Sequence, residues 1–279
     1  MATQFKRLRN IAAVAFLTVA SSSAFAGAVF TVDPTSNGLT TANSGAEVFQ
    51  GDQLVGGSSA RVTYTGNNAN GSVNYKSVGY IQYSTIRFDG SDVGTDMTGL
   101  GSKSRGYGLY ATFEQTFTCS SLLQVGSSCA INSIKLSLYG DRGADSIFNK
   151  STLTNDATVT ATGDQVLLGT VDQIIAGAAG FNALGGAFQN INSNFELTAA
   201  GSAFFVTPNP FYSFAYSAFN NTTLGLTCSP TNCNGARIVA INSESGTTDF
   251  NDVPEPAPLA LMGIGLLGMA AYRRKQAKK

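Results

Sequence analysis

The carboxylates are the groups from which this chain could build acid and base catalysis. Its 279 residues include no histidine, which removes every Ser-His-Asp or Cys-His nucleophile arrangement and every histidine-ligated zinc or haem site. Glycoside hydrolysis needs only two acids. Five glutamates are available for it: Glu47, Glu114, Glu196, Glu244 and Glu255. Glu114 falls on the polar side of an alternating segment, a placement that suits a sugar-facing acid and a plain solvated side chain equally well. No spacing brings a second carboxylate to it. The expectation is therefore no catalytic residue and no enzyme.

Other chemistry is weighed the same way. Residues 89–96 (DGSDVGTD) and the pair Asp141 and Asp145 in YGDRGAD offer hard oxygen ligands that suit calcium. They lack the alternation and closing glutamate of an EF-hand loop, and turn chemistry accounts for Asp beside Gly. Neither a metal nor another cofactor is expected. Four cysteines lie in two close pairs, Cys119 with Cys129 and Cys228 with Cys233. Three connectivities are possible, of which the local pairing is the easiest to form in an oxidising space. A four-thiolate zinc site lacks its usual two-residue spacing. The block FFVTPNPFYSFAYSAFN, residues 204–220, packs aromatics around two prolines. If one face of that strand is exposed, Tyr212 and Tyr216 can stack on sugar rings; if not, they are core.

The elements that must position these groups have a period of two. Leu109, Ala111, Phe113, Phe117 and Cys119 share one face, and Tyr110, Thr112, Glu114, Thr116 and Thr118 the other, the pattern of a half-buried strand. Ile134, Leu136 and Leu138, then Tyr212, Phe214 and Tyr216, alternate likewise. About ten short strands bounded by Gly, Asn, Asp and Ser predict an all-β fold, an antiparallel β-sandwich or jelly-roll-like single domain over residues 27–242. The Gly- and Ala-rich stretch 171–191 reads as a buried, irregular crossover. Residues 243–252 (SESGTTDFND) read as a flexible tether.

The ends differ from the body. Between residues 27 and 252 there are 9 basic and 16 acidic side chains, a balance of −7, which argues against nucleic acid. Residues 1–26 combine Lys6, Arg7 and Arg9, an apolar run from Ile11 to Val19, and small residues at Ala24 and Ala26 before Gly27. That is a signal peptide, read by the Sec export machinery and cut by signal peptidase after Ala26. Residues 253–279 begin with Pro254, Glu255 and Pro256 and end with Arg273, Arg274 and Lys275 followed by two more lysines. Between them, 16 uncharged residues span about 24 Å as a helix, marginal for a hydrocarbon core of about 30 Å. Such a transmembrane helix holds its basic end in the cytoplasm and its Pro-Glu-Pro outside the inner membrane.

Pro-Glu-Pro, a short apolar helix and a basic cluster, in that order at the C-terminus, resemble the PEP-CTERM sorting signal of Gram-negative bacteria that make exopolysaccharide. The resemblance implies transient retention in the inner membrane and then processing by an exosortase. The segments AVFTVDPTSNG, SRGYGLYATFEQTFTC, IKLSLYGD and FELTAAGSAFFVTPNPFYSFAY are similar to flocculation-associated PEP-CTERM proteins. That implies an extracellular matrix protein of the cell surface, without catalytic activity, which promotes flocculation or biofilm formation with exopolysaccharide. A lectin-like module and a polysaccharide-modifying enzyme using Glu114 are the alternatives.

Overall fold

The computed structural model describes residues 28–39, 48–94, 106–220 and 223–251. The signal segment, with Ala24, Ala26 and Gly27, and the sorting segment from residue 253 onward lie outside the described residues. Strands β1 (Phe30–Val32) and β2 (Phe49–Gly51) precede the long β3 (Gln53–Asn67) and β4 (Val73–Phe88), the short β5 (Ser91–Gly94), and the long β6 (Tyr107–Cys119) and β7 (Ser128–Arg142). A small hairpin follows, β8 (Ile147–Asn149) with β9 (Thr158–Thr160), then β10 (Val166–Val171), β11 (Ile174–Phe181), β12 (Ala187–Ser193) and β13 (Glu196–Leu197). Helix α1 (Ala199–Phe204), β14 (Phe205–Thr207), β15 (Ser213–Phe219), β16 (Leu226–Ser229) and β17 (Ile238–Asn251) are the last of the described elements.

The all-β expectation holds, but the sandwich does not form. Strands β3, β4, β6, β7, β11, β12, β15 and β17 pair in that order, all antiparallel, and β17 returns to β3, so a single sheet closes into an eight-stranded up-and-down barrel. Two contacts close it. Residues 238–249 of β17 ladder onto residues 53–63 of β3, and Ala178 to Gly180 of β11 pair with Ser128 to Ala130 of β7. A sandwich and a barrel need the same alternation. What separates them is whether the first and last edges meet, and closure removes the exposed edges a sandwich would keep. Irregular registers at Val55/Gly56, Thr116/Phe117 and Asn242/Glu244 give the long strands the bends that closure demands.

Two expectations for particular segments are corrected by this closure. Residues 243–251 are no tether: they form the second half of β17 and pair on both sides, with β15 and with β3. Residues 171–191 are no irregular crossover but the β11–β12 hairpin. Its glycines reflect close packing, since a Cβ at Gly180 would collide with the carbonyl oxygen of Ser127. The alternation itself was sound. Leu109, Ala111, Phe113, Phe117 and Cys119 face the buried interior together with Gln115.

Both mouths of the barrel are plugged. At the end where β17 finishes, the small sheet β14-β1-β2 brings Phe30 against Phe250 (5.2 Å between ring centroids) and Phe205 against Phe211 (4.9 Å), with Phe204 behind them. At the other end the 119–129 loop folds inward on Leu123. Its N–H donates to the Tyr75 hydroxyl (2.9 Å), which in turn donates to the Ala236 carbonyl (2.7 Å). The Cys119–Cys129 and Cys228–Cys233 disulfides form there as the local pairing anticipated, with Cα separations of 4.3 and 5.1 Å. Loops this short are expected to contribute about 2 to 3 kcal/mol each. Replacing Cys119 and Cys129 by Ser should lower the unfolding free energy by about that amount in urea titrations; an unchanged midpoint would contradict it.

One flank of the barrel carries a cover. Phe148 of β8 packs on Tyr80 (5.2 Å) and Tyr110 (5.6 Å) outside the barrel. Further along, Ser151 donates its hydroxyl to the Ala60 carbonyl (2.9 Å) and accepts at its carbonyl from the Asn242 amide (3.1 Å).

Candidate functional site

A groove of about 600 Å³ lies between this cover and the outer faces of β4, β6, β7 and β10. The polar side of the β6 alternation supplies Thr112 and Glu114, β7 adds Lys135 and Ser137, β10 adds Thr170, and Asp172 closes one end. Glu114 stands opposite Lys135 in the β6–β7 register and accepts an ion pair from Lys76 Nζ at 2.8 Å. Both partners of that pair are about half exposed (41% and 51%), so it contributes little to stability. Asp172 is a carboxylate that sequence spacing did not associate with Glu114. It sits at the break between β10 and β11, where Asn194 donates to Asp172 Oδ1 (2.9 Å) and accepts from the backbone N–H of Gln173 (3.0 Å). A hydroxyl-rich trough with one cation and two carboxylates can hydrogen-bond a hydrated, hydroxyl-bearing chain.

A second constellation is internal. The Ser58 hydroxyl donates to Glu244 Oε2 (2.7 Å), Tyr83 and Thr248 share a hydrogen bond (2.8 Å), and Gln115 Nε2 donates to Gln189 Oε1 (2.5 Å). Glu244 is 5% exposed. Burial raises its pKa above the usual carboxylate range, opposed by the Ser58 hydrogen bond. Tyr216 shares this pocket. Its hydroxyl meets no partner at hydrogen-bonding geometry, and burial first, then the Glu244 charge, raise its pKa well above 10.0. A cavity of only about 20 Å³ remains beside Gln115, Gln189 and Glu244, room for about one water.

The third cluster is acidic. Carboxylate oxygens of Asp141, Asp145 and Asp164 lie within 4.8 Å of one another. Sequence reading paired the first two and missed Asp164, which the cover segment returns to them. Their oxygens are engaged by turn donors: the Ser146 N–H on Asp141 Oδ2 (3.0 Å) and the Thr162 hydroxyl on Asp145 Oδ1 (2.6 Å). Burial, with a smaller contribution from the Asp145 charge, raises the pKa of Asp141. In the 89–96 loop, Asp92 pairs with Arg87 at 2.9 Å.

The anticipated sugar contact does not assemble. Tyr216 is 1% exposed inside the barrel, and the half-buried Tyr212 donates its hydroxyl to the Val29 carbonyl (2.9 Å), clipping the N-terminal strand in place. Phe214 and Tyr216 face inward because β15 lies between β12 and β17 with its alternate side chains in the lumen. Pro254, Glu255, Pro256, Arg273, Arg274 and Lys275 lie outside the described residues.

Among the described residues no helix is long and apolar enough to cross a membrane. No curated protein and no solved structure matches the chain. A family described as the PEP-CTERM protein-sorting motif matches residues 252–275, directly after the last barrel strand and spanning Pro254 to Lys275. By that motif the chain is an exosortase-targeted protein, exported to be anchored at the surface of a Gram-negative cell or secreted from it.

Proposed function

We propose that the mature barrel is a non-enzymatic extracellular matrix protein that promotes flocculation or biofilm formation in association with exopolysaccharide. The observation that carries this reading is the sorting motif at residues 252–275 joined to a disulfide-stapled barrel whose lumen is sealed. Such a body is durable outside the cell and offers its chemistry on the outer surface. The resemblance of four body segments to flocculation-associated PEP-CTERM proteins supplies the biological setting. The groove with Glu114, Lys135 and its row of hydroxyls suits contact with a hydrated polymer. The export partners are the Sec machinery, signal peptidase and the exosortase, with the inner membrane as a transient station.

A second reading is favoured by one feature, the presence of two carboxylates, Glu114 and Asp172, in a single groove, since glycoside hydrolysis draws on two acids. Deletion separates the two readings. A strain without the protein should lose floc formation and polysaccharide retention, and a Glu114→Gln form should restore both. Normal flocs in the deletion strain would remove the matrix role. Depolymerisation of the cell's own polymer by purified protein, lost in Glu114→Gln, would replace it with the enzyme.

A further inference from the structure

A pocket of about 240 Å³ lies on the outer face of β3, β4 and β17, where the cover segment meets them. It shares no residue with the Glu114 groove. Ser59 and Tyr80, 1% and 5% exposed, supply its buried side, and Gln82, Ser84, Lys150 and Ser243 its open side. Among the described residues, Lys150 is the one charged side chain that lines it.

A bulge builds this pocket. Val239 faces the lumen, and so do Glu244, Thr248 and Phe250, an odd position followed by even ones. The irregular register between Asn242 and Glu244 makes the switch, and Ser243 sits at it with a φ of 66°, a left-handed conformation that is costly for serine. The consequence is double: Glu244 turns inward, and the Ser243 side chain stays outside, where Lys150 Nζ donates to its Oγ at 3.4 Å. Bulges re-aim single side chains in this way beside functional sites. Gly57 leaves the floor open, since a Cβ there would meet only the Glu244 carbonyl oxygen, at 3.0 Å.

The hydrogen-bonding capacity left over in the pocket is mainly that of donors. Ser59 already donates to Asn242 Oδ1 (2.6 Å) and accepts from the Ser151 N–H (3.0 Å), and Ser84 donates to the Val55 carbonyl (3.1 Å). The Lys150 ammonium, the Ser243 O–H and the Gln82 amide remain, with the lone pairs of Ser84 beside them. No acid cancels the ammonium: among the described residues Lys150 makes no ion pair. Of the carboxylates on the elements that frame the pocket, Glu244 is inside the barrel on the Ser58 hydroxyl, and Asp249 takes the Gln53 amide (2.8 Å). Asp156 pairs with Arg61 at 3.1 Å, and Asp145 and Asp164 lie in the cluster with Asp141. One cation flanked by neutral donors complements a carboxylate, which only accepts.

We propose that this pocket binds the carboxylate of an acidic saccharide, a uronate unit, with Lys150, Ser243 and Gln82 donating to the carboxylate oxygens and Ser84 accepting from a ring hydroxyl. This deepens the matrix reading by naming the charged group of the polymer. The polymer as the source of that group rests on that reading; the anion site itself does not.

NMR titration of the processed, 15N-labelled protein recovered from the producing cells with trigalacturonate tests it. The Gln82 side-chain amide and the Ser243 backbone amide should shift with a Kd of about 0.1 to 1 mM. Lys150→Met should weaken binding by about fivefold or more, while Arg237→Met, which removes a cation beside Tyr64, should leave it unchanged. Ser243→Gly suits the positive φ, so it should melt no lower than the wild type and still bind more weakly. The fully methyl-esterified trisaccharide, the same chain without its charge, should also bind about fivefold more weakly or worse. Unshifted signals at about 10 mM saccharide, equal loss in Lys150→Met and Arg237→Met, or equal affinity for the ester overturns the proposal. So does sodium acetate or inorganic phosphate that binds as tightly, because the saccharide then contributes nothing. Failure of the matrix reading appears separately, as normal flocs in the deletion strain.

Discussion

Ending the chain at Asn242 in place of Asn251 should abolish cooperative folding. Residues 243–251 supply Glu244, Thr248 and Phe250 to the interior, every partner of β15 on its β17 side, and the partners of residues 53–58 in β3. Phe250 alone contacts Phe30, Phe195, Phe205, Phe211 and Phe214. Truncating a buried Phe costs about 3 to 5 kcal/mol. Adding an opened barrel seam exceeds the 5 to 15 kcal/mol that holds a typical domain together. Far-UV circular dichroism and heat denaturation of the two chains decide it: the longer one should melt in one transition and the shorter one in none. If the shorter chain melts within a few degrees of the longer, β17 does not close the barrel and the segment is a tether after all.

The second large effect concerns the charge buried inside. Glu244→Gln should raise the melting temperature at pH 7 by roughly 5 °C, corresponding to about 2 kcal/mol released when a buried carboxylate without a cationic partner becomes a neutral amide. The groups facing Glu244 are Ser58, Tyr216 and, behind it, Tyr83; none of them is a cation. Burial raises its pKa, and likewise those of Asp141 and Asp249. A carboxyl with a raised pKa keeps its proton in the fold at a pH where the unfolded chain has released it. Stability therefore falls as pH rises from the ordinary values of 4.5 and 3.8 toward the raised ones, and is level above them. The wild-type protein should melt highest in mild acid and lose stability on the way to neutrality. In Glu244→Gln that slope should flatten. A wild-type melting temperature that climbs steadily from pH 4.5 to 7 would mean that Glu244 has a compensating partner.

Much of this molecule could be read without coordinates because the relevant physics is local. Alternation over a dozen residues is enough to show that residues 109–119 form a half-buried strand, and a spacing of 10 or 5 residues is enough to pair the cysteines. The sorting motif is legible for the same reason, since it is a run of contiguous residues. The body offered less. Gln115 has the inward parity of its strand, but its polar character hid that it faces the lumen until Gln189, 74 residues away, was seen to meet it. SESGTTDF is composed like a linker and is a core strand because β3 and β15, both distant in sequence, supply its hydrogen bonds.

The sequence by itself determined where this protein goes, which cysteines join and which strand faces turn inward. Tertiary structure decided that one sheet closes on itself, that Tyr216 and Glu244 are sealed inside, and that Asp172 shares a groove with Glu114 and Asp164 joins Asp141. Those features depend on pairings between residues up to 196 positions apart, such as Gln53 with Asp249. Loop closure over such lengths changes the free energy too slowly to favour one long-range partner over another, so only the complete set of strands, competing for the same edges, selects the pairing.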